Sequence, residues 1–168
     1  MIQQAEAQRA DRTALVLQTV CDLGIRVSEL QTITVESLEK GEAVIQNKGK
    51  VRTILIPKSL SKKLMRYCSQ RGLLQGAIFI TRSGKPLDCS NIWRMMKRLA
   101  KKAKVAAEKV FPHNLRHLFA RSYYEKFKDI VRLVDILGHS SIDTTRIYTA
   151  RSGHEERRQL DQLSLILG

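Results

Sequence analysis

Cysteine is scarce in this chain. Cys21, Cys68 and Cys89 are far apart and odd in number. They form neither a disulfide framework nor a zinc pattern, and each reads as a small buried or half-buried apolar residue in a reducing compartment. His154-Glu155-Glu156 has no second histidine at ligand spacing, and no Gly-rich loop ends in Gly-Lys-Ser/Thr, so neither a metal nor a nucleotide cofactor is signalled. No stretch approaches the ~18 apolar residues of a membrane-spanning helix, and no basic-apolar-small signal peptide opens the chain. Long linkers, internal repeats and low-complexity segments are missing too.

Acidic residues are also in short supply. Asp and Glu total 16 against 30 Lys and Arg, a formal net charge of +14 over 168 residues. Such an imbalance points to an anionic polymer, nucleic acid first and a membrane surface second. With 43% hydrophobic residues, the chain can build a core and is not a disordered basic tail.

Hydrophobic spacing predicts a helix over residues 10–23, stopped by Gly24, and a short capped helix at Ser28-Glu29-Leu30-Gln31. Ala43-Val44-Ile45 and Thr53-Ile54-Leu55-Ile56 flank Asn47-Lys48-Gly49-Lys50 as a β-hairpin. Ser37-Leu38-Glu39 is expected to add a third strand. Helices are expected over 58–70, 89–104, 112–127, 130–137, 141–148 and 153–166. The fold class expected is mainly α with a small three-stranded antiparallel sheet (α+β), in one domain over 1–168.

The candidate functional residues are ordinary one by one. His113 and Arg116, three apart at a helix start, make a natural phosphate site, yet exposed His and Arg on a basic helix are common. Leu115, Leu118 and Phe119 would pack inward from the same helix. Arg26 follows a helix-stopping glycine, where a cation also compensates the helix dipole. His139 follows the expected cap Gly138 and could itself be a cap or surface residue. Tyr148 could be a partly buried, hydrogen-bonded phenol. Lys48 and Lys50 at a hairpin tip are usually just solvated.

Together these pieces are far more specific. Gly24-Ile25-Arg26-Val27-Ser28-Glu29-Leu30, the hairpin Asn47-Lys48-Gly49-Lys50-Val51-Arg52, His113-Asn114-Leu115-Arg116-His117, and Leu137-Gly138-His139 with Tyr148 nine residues on resemble the catalytic domain of the tyrosine recombinases, the phage integrase family. The resemblance runs in order from about residue 10 to 150. It implies that family's catalytic-domain fold and a DNA partner. The implied chemistry forms a 3′-phosphotyrosyl link and a free 5′-hydroxyl, followed by strand exchange without metal, cofactor or ATP. Residue by residue it implies Tyr148 as nucleophile, Arg26 and Arg116 as the clamp on the scissile phosphate, His113 and His139 as ligands and proton-transfer aids, and the hairpin lysine as general acid. Glu29 is expected to support the local architecture without a chemical role.

Elementary chemistry agrees with those roles. Arginine grips phosphate oxygens with two parallel bonds while staying charged, and so can stabilise the developing charge. A phenol of pKa near ~10 must lose its proton during attack, and the leaving alkoxide must gain one. Two departures stand out. The glycine that usually precedes the first hairpin lysine is Asn47 here, so Lys48 is aligned with the general acid and Lys50 is the alternative. Full-length members also carry an N-terminal core-binding domain, and the chain is expected to be a fragment or minimal member. The segment 153–166 is expected to dock on a neighbouring protomer or on its own domain. A recombinase of a mobile element or phage, acting as a tetramer on double-stranded DNA in a prokaryotic cytoplasm near the nucleoid, is the reading. An inactive DNA-binding relative and a type IB topoisomerase-like relaxer are the alternatives.

Overall fold

The computed structural model describes residues 11–47, 49–106, 110–138 and 145. The helix α1, Asp11–Leu23, buries Ala14, Val16, Leu17, Val20 and Leu23. Thr19 is wholly buried on the same face and donates its hydroxyl proton to the Leu15 carbonyl at 2.7 Å, so it adds no unsatisfied group. A 3-10 helix, Val27–Thr32, follows, and Leu30 and Ile33 join the core behind it.

The expected third strand is not a strand. Residues Val35–Lys40 form a helix, α2, capped by Thr34, whose side chain accepts from the Ser37 N–H. Val35 and Leu38, three apart, both point into the core. A cap plus helical spacing outweighs a brief apolar alternation in so short a segment. Among the described residues the sheet is therefore two-stranded: β1, Glu42–Asn47, antiparallel to β2, Lys50–Leu55, with Ile45 opposite Arg52. The inward side carries Ala43, Ile45 and Ile54, while Val44, Val51 and Leu55 face out.

The helix α3, Lys58–Arg71, buries Leu60, Leu64, Tyr67 and Cys68. An irregular stretch then brings Ile78 and Phe79 into the core. The helix α4, Cys89–Lys102, begins with the Asp88 carboxylate accepting from the Asn91 N–H at 2.6 Å. Its buried residues Ile92, Met96, Leu99 and Ala100 make one stripe, and Arg94, Lys97, Arg98, Lys101 and Lys102 are left for the remaining surface. The helix α5 is Pro112–Phe127 and α6 is Ile130–Leu137, as the periodicity predicts.

The main core joins α1, the 3-10 helix, α2, the hairpin, α3 and α4. A smaller cluster of Ala120, Leu133 and Leu137, with Phe119, Tyr123 and Tyr124 against it, joins α5 to α6. The inward expectation holds for Leu115 and Phe119, which pack on these clusters, but Leu118 is 56% exposed. It lies on the outer side of α5, away from the buried Arg116 and Ala120. Of the helix expected over 141–148, only Thr145 is among the described residues, and it is buried. The expected helix over 153–166 lies outside them. No helix among the described residues is long and apolar enough to cross a membrane.

Candidate active site

Segments distant in sequence meet at one place. α1 stops at Gly24, whose φ of 59° is left-handed, and Arg26 stands in extended backbone at the head of the 3-10 helix. α5 starts at Pro112, whose missing N–H costs nothing in a first turn, and this places His113 and Arg116 near its N-terminus. Arg26, His113 and Arg116 line one cavity of about 320 Å³, with Ser28, Cys89 and Trp93 completing its wall. Arg26 is 32% exposed at its side chain and His113 is exposed, so both are open to an incoming anion.

Arg116 is different: it is only 5% exposed. Its Nη1 donates to the Gly24 carbonyl at 2.6 Å, and its Nη2 donates to the Leu137 carbonyl. It thus ties the end of α1 to the end of α6, where carbonyls concentrate negative potential. Gly138, left-handed at φ 63°, ends α6 as expected.

Glu29 holds the other arginine. It is 5% exposed, and its carboxylate accepts from the Arg26 backbone N–H at 2.7 Å and Arg26 Nη1 at 3.0 Å. It also accepts from Arg52 Nη1 at 3.1 Å and Nη2 at 2.7 Å. Burial alone would push this carboxyl up, but the bonds from Arg52 and the Arg26 backbone outweigh it and hold Glu29 below the usual carboxylate range. The supporting place expected for Glu29 is where the structure puts it. His117, next to the site on α5, is pushed down, first by burial and then by repulsion from His113, Arg121 and Arg116, which favours its neutral form.

Lys48, His139 and Tyr148 lie outside the described residues. Lys50 opens β2 opposite Asn47 and is exposed. Two features beside the site went unpredicted, the place of Arg52 and the pairing of Lys97 with Trp93 and Phe111. Arg52 was legible: it shares the inward alternation of β2 with Ile54 and Ile56, an odd place for a cation without a partner. Trp93 is 45% exposed and Phe111 44%, and Lys97 Nζ lies 5.2 Å and 4.9 Å from their ring centroids. Only the meeting of α4 with the start of α5 reveals that pairing.

Comparison with known proteins agrees with this geometry. Residues 1–155 match the phage integrase family. The chain is 32% identical over 162 residues to the tyrosine recombinase XerA of Pyrococcus furiosus, covering 92% of this chain and 56% of that protein. It is 34% identical over 144 residues to the tyrosine recombinase XerH of Campylobacter jejuni, covering 82% and 41%. The chain therefore spans about half the length of these curated relatives. The crystal structure of XerA recombinase superimposes with a TM-score of 0.75 at 29% identity, over 99% of this chain and 60% of that one. XerH bound to its difH substrate in a pre-cleavage complex gives 0.74 at 27% identity, over 92% and 46%. A lambda integrase dimer bound to a COC′ core site shares the fold at 0.68 and 21% identity, over 90% and 56%. A mainly helical domain with a small antiparallel sheet, the arginine and histidine motifs in their order, and these matches establish that this chain belongs to the phage integrase family.

Proposed function

We propose that this chain carries the strand-cleavage site of a site-specific DNA recombinase or integrase of a mobile element or phage. The observation that carries the reading is the convergence of Arg26, His113 and Arg116 on one cavity, in a chain of net charge +14. A cavity walled by two guanidiniums and an imidazole suits a phosphodiester, whose oxygens gain charge as it is attacked. The Tyr148 oxygen attacks phosphorus, passing its phenolic proton to a neighbouring histidine, His113 or His139, and the P–O5′ bond breaks. Lys48, or Lys50 in its place, delivers a proton to the departing 5′-oxygen. Arg26 and Arg116 bind the non-bridging oxygens, with His113 and His139 beside them. The 3′-phosphotyrosyl link keeps the energy of the broken bond, so the 5′-hydroxyl of another strand can displace the tyrosine without ATP. Relatives caught on DNA, XerH on difH and lambda integrase as a dimer on a core site, support double-stranded DNA and further copies of the chain as partners. A tetramer on paired sites in a prokaryotic cytoplasm is the working assembly.

The test is covalent capture. A library of nicked suicide duplexes with randomised flanks is incubated with the protein, and adducts surviving denaturant are recovered and mapped. Enrichment of a sequence, linked through Tyr148 and abolished in Tyr148→Phe, is the expected result. DNA affinity with no adduct would instead mark an inactive DNA-binding relative. Sequence-indifferent relaxation of supercoiled plasmid would mark a type IB topoisomerase-like relaxer.

A further inference from the structure

Arg52 has no part in the chemistry just described, yet it touches two of its supports, Glu29 and Gly138. It lies on the inward side of β2, its side chain 13% exposed. Each Glu29 oxygen is shared by two arginines. Oε1 accepts from Arg26 Nη1 at 3.0 Å and Arg52 Nη1 at 3.1 Å. Oε2 accepts from the Arg26 N–H at 2.7 Å and Arg52 Nη2 at 2.7 Å. On its other side the same guanidinium packs on Gly138: a Cβ there would lie 2.8 Å from both Cδ and Nη1 of Arg52. The fork therefore sits between the Arg26 segment and the last turn of α6.

We infer that Arg52 is a positioning residue for Arg26, acting through Glu29. The inference rests on the strand-cleavage reading. A lone Glu29 beside Arg26 would cancel the charge Arg26 presents to a phosphate. Held by Arg26 alone, it could also tilt and draw the guanidinium back from the cavity. Arg52 removes both effects. Its bidentate fork fixes the plane of the carboxylate, and its charge leaves the trio of Arg26, Glu29 and Arg52 with one net positive charge. A buried ion pair is a weak source of stability and is often replaceable by an apolar residue of similar volume. Removing Arg52 alone strands part of the Glu29 charge and should lower the melting midpoint whatever its role, so a purely structural Arg52 would cost stability while the folded, DNA-bound variant still cleaved normally. A lysine would restore charge as a point but not the fork.

Single-turnover cleavage of the captured suicide duplex decides this, with DNA affinity read by anisotropy and folding by thermal melt. Arg52→Met is expected to bind the duplex and to cleave about 10- to 100-fold more slowly, the range seen when a partner behind a ligating group is removed. Removing the carboxylate charge as well, in Arg52→Met with Glu29→Gln, is expected to recover most of that loss. A structural role would show in the melting midpoint alone, with the cleavage rate of the folded, DNA-bound single variant unchanged. If Arg52→Met does not melt cooperatively, Arg52→Gln replaces it under the same expectations. Wild-type cleavage by the single variant, or no recovery in the double, overturns the inference while the strand-cleavage reading stands. Absence of any Tyr148 adduct in the wild-type protein overturns that reading and the inference with it.

Discussion

Gly24→Ala should damage the protein at the joint between its core and its site. Gly24 has φ 59°, a region where an L side chain costs about 1–2 kcal/mol. Space is the second problem. An ideal Cβ at this position would lie 2.6 Å and 2.8 Å from two further atoms of the Phe119 ring it would strike, far inside contact distance. Forcing an extra carbon into packed surroundings costs about 1–3 kcal/mol. The two terms give roughly 2–5 kcal/mol, a large share of the ~5–15 kcal/mol that holds a domain together. At roughly 2–4 °C per kcal/mol for a domain of this size, the melting midpoint should fall by about 4–20 °C.

The same substitution should reach the chemistry, because the Gly24 carbonyl is one of the two acceptors that seat Arg116. A double-mutant cycle separates the two terms. Phe119→Ala removes the Cγ, Cδ1 and Cε1 atoms that meet the new carbon but leaves the backbone strain. Gly24→Ala with Phe119→Ala should therefore be more stable than the sum of the single effects by about 1–3 kcal/mol. Thermal melts and cleavage of the suicide duplex measure both consequences. A Gly24→Ala protein within about 0.5 kcal/mol of wild type, or two substitutions whose effects simply add, would refute the reasoning.

Two further predictions follow from the site. Trp93 is the sole tryptophan and lines the candidate cavity, so saturating Tyr148→Phe protein with duplex DNA should shield its emission from acrylamide. Unchanged quenching, with binding verified by anisotropy, would place the DNA elsewhere. Glu29 is held below the usual carboxylate range, so its stabilisation is fully present above the unfolded value of about 4.3 and is lost as pH falls through the folded value. Glu29→Gln should flatten the acid limb of the stability curve, measured by urea unfolding from pH 6 downward to about pH 3. An acid limb as steep as that of wild type would show that Glu29 does not carry it.

Helices α1 and α3 to α6 were legible from their apolar spacing, and α1 and α6 also from their glycine stops, Gly24 and Gly138. The segment Val35–Lys40 was not, since six residues are too few for periodicity to separate a strand from a capped helix. The site was legible as motifs because His113 and Arg116 lie within one turn and Arg26 follows a fixed glycine. What spacing could not show is partnership. That Glu29 faces two arginines, one of them across a hairpin 23 residues on, depends on how β2 crosses the 3-10 helix. Lys97 between Trp93 and Phe111 likewise exists only once α4 and α5 have packed.

The two arginines that line the cavity consequently differ as probes. Arg116 is buried and binds the carbonyls of Gly24 and Leu137. Its removal would leave two carbonyls without their charged donor, at about 1–3 kcal/mol each, before any substrate is considered. A loss of cleavage in Arg116→Ala therefore mixes a disturbed scaffold with a lost phosphate contact. Arg26 is one-third exposed, and its bonds to Glu29 are partly duplicated by Arg52. Arg26→Ala should leave the melting midpoint nearly unchanged while cleavage falls by about 100-fold or more, the scale of one lost electrostatic contact to a transition state. A large drop in midpoint with proportionate loss of cleavage would mean that Arg26, too, is mainly scaffold.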